Sequence, residues 1–142
     1  MNLVLDASVA AKWLLEEEGT REAEALLESC KAGRYAPVAP AILAPEIAAV
    51  LWKRMIRGFL TMNQAKSLYQ QFELIRPPLV PLDGLVRPAL ELALRFRHSL
   101  YDCLYVALSR QMGCCMVTAD ERLHRALSRE DSGILLLRDW RP

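Results

Sequence analysis

Four acidic residues stand at positions from which carboxylates could act together. Asp6 ends the apolar stretch "LVLD", Asp120 follows "VTA", Glu46 lies in the first turn of a predicted helix, and Asp102 is the only charged residue in "SLYDCLYVALS". Carboxylates that converge repel one another, and burying them without a partner is costly, so a positive charge must lie among them. Oxygen ligands of this kind suit Mg²⁺ or Mn²⁺. The four acids therefore predict a divalent metal site.

Each acid also has a purely structural interpretation. Asp6 and Asp120 could cap the helices that follow them, and Glu46 could complement a helix dipole. Asp102 stands three residues after Ser99, which is the spacing of a capping box. Taken singly, none of the acids distinguishes a structural role from a metal-binding role.

Composition limits the class of protein. The 142 residues fit a single domain, residues 1–142, with enough chain for a substantial core. The 53% hydrophobic content favours strands that are covered on both faces. A net charge of +1 argues against a large non-specific nucleic-acid footprint but allows a local basic patch. The four cysteines lack metal-ligand spacing and are expected to be reduced and mostly buried.

No membrane segment is expected. The longest apolar stretch, residues 36–52, is interrupted by prolines and by Glu46. The start of the chain, "MNLVLDAS", lacks the basic and apolar regions of a signal peptide. We therefore expect a cytoplasmic protein.

Short apolar strands alternate with helices along the chain. The strands are predicted at residues 3–5, 35–38, 79–82, 114–118 and 134–137, the third of them at an edge because it contains Pro81. This alternation predicts an α/β fold in which helices cover both faces of a parallel sheet, a three-layer α/β/α arrangement. Sites in such sheets form beyond the carboxyl ends of the strands, where Asp6 and Asp120 are expected.

Helix boundaries follow from capping residues, prolines and glycines. Ser8 is predicted to cap a first helix that ends at Gly19, and Ser99 to cap the helix that contains Asp102. The other helices are predicted from Thr20 to Gly33, from Pro45 to Gly58, from Thr61 to Pro77, from Pro88 to His98, and as a short helix opened by Asp120.

The motifs resemble those of a known family. "LVLDASVAAKWLLEEE", "PEIAAVLW", "LYDCLYVALS" and "VTADERL" are similar, in this order, to the four blocks of PIN-domain ribonucleases, and the first is most similar to VapC toxins of toxin–antitoxin pairs. The resemblance extends from Leu3 to about Leu137 and implies a parallel sheet of about five strands in the order 3-2-1-4-5. Many relatives carry an asparagine shortly after the glutamate, where this chain has Ala48 and Ala49.

The resemblance implies a role for each matching residue. Asp6, Glu46, Asp102 and Asp120 would form the acidic tetrad that binds Mg²⁺ or Mn²⁺, with Ser8 and Thr118 as supporting hydroxyls. The expected activity is a metal-dependent endoribonuclease in which a metal-activated water hydrolyses the phosphodiester bond, leaving a 5′ phosphate and a 3′ hydroxyl. The implied partners are an RNA substrate, a cognate antitoxin and a second copy of the chain.

Substrate contacts must come from outside the tetrad. Lys53, Arg54 and Arg57 in "WKRMIRG" are candidates for RNA contact, as are the basic residues of "RFRH" at residues 95–98. The competing interpretation is that these are solvated basic turns and that His98 is an ordinary surface histidine.

Other functions fit the sequence less well. A phosphoacceptor domain needs an acid pair after its first strand and a lysine after its last, where this chain has Asp6 alone and Arg138. A DxD phosphatase fails because Ser8 occupies the second acidic position. A PIN-domain RNA processing or decay nuclease without an antitoxin, and a catalytically inert PIN binding module, remain as alternatives.

Overall fold

A computed structural model describes all residues from 1 to 142, and a single parallel sheet forms its centre. The five strands run in the order β3-β2-β1-β4-β5. They are β1 (Asn2–Leu5), β2 (Ala36–Pro40), β3 (Leu79–Val80), β4 (Cys115–Thr118) and β5 (Ile134–Leu136). The predicted α/β class and the predicted strand order 3-2-1-4-5 are both confirmed.

Seven helices flank the sheet. They are α1 (Ala7–Ala10), α2 (Thr20–Lys31), α3 (Leu43–Ile56), α4 (Met62–Ile75), α5 (Val86–Phe96), α6 (Leu100–Met112) and α7 (Glu121–Leu127). None of the helices is long and apolar enough to cross a membrane.

Two hydrophobic clusters cover the two faces of the sheet, because side chains alternate along each strand. Val4 and Met116 point into the larger cluster, which contains the buried residues of α3 to α7. Leu5 and Val117 point into the smaller cluster, which contains those of α2 and Trp140. The three-layer arrangement follows from this split.

The first helix is shorter than predicted. Helix α1 ends at Ala10 and continues only as a 3₁₀ turn from Ala11 to Trp13, so it does not reach Gly19. The Thr20 hydroxyl accepts the Glu17 amide hydrogen at 3.0 Å and donates to the Leu15 carbonyl at 3.2 Å. These bonds stabilise a loop in the place of the predicted last turn.

The predicted cap at Ser8 is wrong, and the predicted cap at Ser99 is correct in position only. Asp6 is the N-cap of α1, and Ser8 lies one residue inside that helix. Ser99 occupies the N-cap position of α6, but its side chain makes no capping hydrogen bond, so Ser99 and Asp102 form no capping box. Asp102 has a different partner, described below.

Two prolines stand later in their helices than predicted. Helix α3 begins at Leu43 and α5 at Val86, so Pro45 and Pro88 are the third residue of each helix and not the first. The first turn tolerates proline because its amide groups have no partner within the helix. Strand β3 stops at Val80, one residue before Pro81, and lies at the predicted edge.

Candidate active site

Asp6 lies at the carboxyl end of the central strand β1 and is nearly inaccessible, at 5% exposure. Its backbone is extended while α1 begins at the next residue, so the side chain turns back and accepts the Val9 amide hydrogen at 3.3 Å. Asp6 thus does cap a helix, as its structural interpretation proposed. One weak backbone bond leaves most of its acceptor capacity to other groups.

Two hydroxyls hold the Asp6 carboxylate from opposite sides. Ser8 donates to Oδ1 and Thr118 donates to Oδ2, both at 2.5 Å. Parallel pairing sets Leu5 beside Val117, so the residues that follow them, Asp6 and Thr118, lie side by side at the carboxyl ends of β1 and β4. The Ser8 and Thr118 oxygens accept the backbone amide hydrogens of Ala119 and Asp120, which orients both hydroxyl donors toward Asp6.

The environment of Asp6 disfavours its charged form. Burial raises the pKa of Asp6 from 3.8 to about 6, although the hydrogen bonds from Ser8, Thr118 and Val9 oppose this change. The negative charge of Asp102 makes a smaller contribution to the same rise in the pKa. A cation beside these two carboxylates would relieve both effects.

Glu46 extends from the first turn of α3 toward the same region. Its Oε1 accepts a hydrogen bond from the Tyr105 hydroxyl at 2.8 Å. Burial raises the pKa of Glu46, the Tyr105 hydrogen bond lowers it, and the charge of Asp102 raises it. Burial also raises the pKa of Tyr105, and the charges of Glu46 and Asp6 raise it further, so Tyr105 is a hydrogen-bond donor at neutral pH.

Asp102 projects from the first turn of α6 and is partly open to solvent, with 31% of its side chain exposed. Its Oδ2 lies 2.8 Å from Nε2 of His98, four residues earlier. The His98 side chain is only 7% exposed, so the interpretation of His98 as a surface histidine is wrong. One of the two Asp102 oxygens therefore has a nearly buried imidazole as its partner.

Asp120 follows β4 by two residues, at the same edge of the sheet as Asp6. Its Oδ1 accepts the amide hydrogens of Arg122 at 2.9 Å and Leu123 at 3.1 Å. Asp120 is thus the N-cap of α7, and its negative charge does not contribute to the raised pKa of Asp6 or Glu46. The structure brings Asp6, Glu46 and Asp102 together and places Asp120 beside them with a capping role.

The donor set fits a hydrated divalent cation better than an enclosed one. Neither Lys nor Arg forms an ion pair with any of the four acids. The negative charge of Asp102 raises the pKa of Asp6 and of Glu46, and the charges of all three acids raise the pKa of Tyr105. No three His, Cys, Asp or Glu side chains converge closely enough to enclose an ion directly. Mg²⁺ keeps several of its waters and needs only one or two carboxylates, so an open group of carboxylate oxygens suits it.

Two neighbours of the acids have roles that sequence patterns did not assign. Tyr105 follows Asp102 by three residues within α6, which places both on one face of the helix, whereas His98 lies before the helix begins. The spacing was therefore a usable signal for Tyr105 and not for His98. The Tyr105 bond to Glu46 gave no such signal, because it joins residues 59 positions apart in sequence.

The three basic candidates at the end of α3 differ in whether they form ion pairs. Lys53 and Arg57 are exposed and form no ion pair. Arg54 contacts Glu17 at 3.0 Å, and the other oxygen of Glu17 contacts Lys12 at 3.0 Å. Arg54 is therefore neutralised in part, which leaves Lys53 and Arg57 as the free positive charges of this turn.

Replacing Tyr105 with phenylalanine is expected to destabilise the protein in a pH-dependent way. Without the hydroxyl, the half-buried Glu46 loses its hydrogen-bond donor, and its pKa rises further. We expect a loss of roughly 1–2 kcal/mol in unfolding free energy at pH 7 and a smaller loss at pH 4, where Glu46 is more fully protonated. Urea unfolding at both pH values measures this.

The matched control is Tyr69→Phe. Tyr69 is half-buried against Phe72, and its hydroxyl has no side-chain or backbone hydrogen bond. Its replacement should change stability little at either pH. Equal losses for Tyr105→Phe at pH 7 and pH 4 would contradict the assigned role of the hydrogen bond to Glu46.

Comparison with known proteins assigns the chain to a family. Residues 3–127 match the family model of the PIN domain, which is most of the chain and includes all four acids. The chain belongs to the PIN-domain family. It is 30% identical over 125 residues to ribonuclease VapC3 from Pyrobaculum aerophilum, a match that covers 87% of this chain and 92% of the relative. The resemblance seen in the motifs is thereby confirmed.

Two solved structures share the fold of this chain. The crystal structure of PAE2754 from Pyrobaculum aerophilum superposes with a TM-score of 0.70 at 18% identity, covering 97% of this chain and 93% of that one. The crystal structure of FitAcB from Neisseria gonorrhoeae gives a TM-score of 0.62 at 16% identity, covering 94% and 95%. At these identities the likeness concerns the fold alone.

Proposed function

We propose that this PIN-domain protein is a metal-dependent endoribonuclease that hydrolyses RNA phosphodiester bonds with water as the nucleophile. The observation that carries the proposal is the group of Asp6, Glu46 and Asp102. Their carboxylates lie near one another at one edge of the sheet, and no lysine or arginine neutralises them. The similarity to a protein named as a ribonuclease supports RNA as the substrate.

Each side chain has a part in this proposal. Asp6, Glu46, Asp102 and Asp120 would hold Mg²⁺ or Mn²⁺, through water where their oxygens are far apart. The ion would supply positive charge for the scissile phosphate and lower the pKa of water. Ser8 and Thr118 keep the Asp6 carboxylate fixed, and Tyr105 does so for Glu46. The chain thus contributes an oriented set of negative charges.

A cleavage assay tests the proposal. Purified protein is incubated with a mixed RNA pool in Mn²⁺ or in EDTA, beside Asp102→Asn in Mn²⁺, and the product ends are mapped. We expect 5′-phosphate ends with Mn²⁺ that disappear with EDTA and with Asp102→Asn. Cleavage that survives EDTA and Asp102→Asn would contradict the proposal, and a folded protein that neither cleaves RNA nor binds Mn²⁺ would indicate an inert binding module.

The free charges at the end of α3 are proposed to bind the RNA backbone. We expect the double variant Lys53→Ala/Arg57→Ala to bind RNA more weakly than the parent protein. The slope of log affinity against log salt should become shallower by about 0.7 for each phosphate that the variant no longer neutralises. Binding of a single-stranded RNA at several salt concentrations measures this, in the Asp102→Asn background so that no cleavage occurs.

The control for this prediction is Arg21→Ala/Arg34→Ala. Both residues are exposed and belong to α2 and the turn after it, on the opposite face of the sheet from α3. An equal decrease of affinity and of salt dependence in the control would show that only net charge matters, which would contradict a specific RNA-binding role for the end of α3.

We also propose, from the resemblance to VapC toxins, that the chain pairs with a cognate antitoxin and with a second copy of itself in the cytoplasm. Exposed apolar side chains support a protein partner: Trp52 and Phe59 are 58% and 69% exposed, and a groove of about 540 Å³ lies between α3 and α4.

Light scattering after size-exclusion chromatography tests self-association, and we expect it to give the mass of a dimer. A monomer at all concentrations would contradict self-association, and the absence of an antitoxin gene beside this one would favour a processing nuclease.

A further inference from the structure

The contact between His98 and Asp102 has a geometry suited to a role in metal binding. Nε2 of His98 lies 2.8 Å from Oδ2 of Asp102. An ionised carboxylate only accepts hydrogen bonds, so the hydrogen is on Nε2 of the imidazole. Oδ1 of Asp102 makes no hydrogen bond to the protein, and 31% of the side chain is exposed. One oxygen is therefore held while the other remains available to a ligand.

The chain conformation before α6 fixes the imidazole. Arg97 ends α5 in the left-handed region, with φ of 50°, and is the only residue other than glycine with positive φ. The His98 amide then donates to the Ala93 carbonyl at 3.2 Å. This tight reversal directs the His98 side chain onto the first turn of α6, where it is 7% exposed. A left-handed residue other than glycine carries a conformational cost, so the turn is held by its surroundings.

We propose that His98 is a positioning residue that makes Asp102 a one-oxygen metal ligand by occupying Oδ2. This inference rests on the proposed metal-dependent function. Mg²⁺ and Mn²⁺ accept ligation by a single carboxylate oxygen, whereas Ca²⁺ often takes both oxygens of a carboxylate. His98 therefore strengthens binding of the smaller ions and disfavours two-oxygen ligation of Ca²⁺ by Asp102.

Direct metal binding tests this role without relying on cleavage. Titration calorimetry gives the Mn²⁺ affinity of the wild type, His98→Leu, His98→Gln and His124→Leu, and competition gives the Ca²⁺ affinity. We expect His98→Leu to weaken Mn²⁺ binding by about tenfold, as is usual when a partner of a metal ligand is removed, and to weaken Ca²⁺ binding less. His98→Gln keeps an N–H donor at a similar reach and should stay within about threefold of the wild type.

His124→Leu is the matched control, since His124 is the only other histidine and has no side-chain hydrogen bond or ion pair. It should bind both ions as the wild type does. Unchanged Mn²⁺ affinity in His98→Leu, or an equal loss for Mn²⁺ and Ca²⁺, would overturn the inference while the wild-type affinity and cleavage still support the proposed function. A wild type that binds no Mn²⁺ would overturn both.

A second measurement keeps the test decisive if His98→Leu does not fold. The wild-type protein has two imidazoles, so their nitrogen NMR signals can be distinguished. Added Mg²⁺ should shift the His98 signals and leave its hydrogen on Nε2, and it should not shift those of His124. Signals of His98 that do not respond to Mg²⁺ would overturn the inference.

Discussion

Replacing Asp6 with asparagine is expected to reduce RNA cleavage by at least about a hundredfold. Even residues that only support a metal ligand contribute about 10- to 100-fold to metal affinity or activity, and Asp6 is proposed to bind the ion itself. Asparagine keeps the size of the side chain but removes its negative charge. In the wild type, Ser8 and Thr118 donate to the two carboxylate oxygens of Asp6. The amide of asparagine has a single oxygen and can therefore accept only one of these two hydrogen bonds.

The measurement is the initial rate of RNA cleavage in Mn²⁺ for wild type, Asp6→Asn and Asp83→Asn. Asp83 is exposed in the turn before α5 and forms no ion pair, so its replacement should leave the rate unchanged. Circular dichroism establishes that all three proteins are folded. Wild-type activity in Asp6→Asn would remove Asp6 from the catalytic group and contradict the proposed function.

The sheet could be predicted from sequence because its strands are short, apolar and separated by helices. Val4, Val117 and Ile134 are buried in runs that no helix pattern explains, and parallel pairing is the usual way to bury such runs on both faces. The order of the strands followed from the family resemblance. Propensity alone misplaced the end of the first helix, because the bonds that Thr20 makes to Leu15 and Glu17 depend on the particular loop.

The candidate site was predictable in its acids and not in their partners. Asp6 and Asp120 were predictable because they follow strands whose ends meet at one edge of the sheet. The Thr118 hydroxyl was implied by the family resemblance. The hydrogen bond from Tyr105 to Glu46 depends on how α6 packs beside α3, which no local pattern encodes. Tertiary packing thus determined which polar groups surround the carboxylates.

Asp6→Asn is also expected to be more stable than the wild type at pH 7 when no metal is present. The folded chain raises the pKa of Asp6 from 3.8 to about 6. At pH values between these two, the native state therefore holds a proton that the unfolded chain has lost. The unfolding free energy therefore falls as pH rises through this window and is lower by about 3 kcal/mol above it. Asparagine has no charge to bury.

The gain from Asp6→Asn should be smaller than this full cost because one of the hydroxyl bonds to Asp6 must rearrange. We expect about 1–2 kcal/mol at pH 7 in EDTA and little gain at pH 4, where Asp6 is protonated in the folded chain and the unfolded chain, with a pKa of 3.8, is partly protonated. Urea unfolding at pH 4 and pH 7 measures this, with Asp83→Asn as the control that should change little at either. A wild type more stable than Asp6→Asn at pH 7 would contradict the proposed cost of burying this charge.

Added Mn²⁺ should stabilise the wild type and not Asp6→Asn, because the ion supplies the positive charge that the buried carboxylate lacks. Binding of the ion at Asp6 would then offset the unfolding free energy that burial of the Asp6 charge costs the protein.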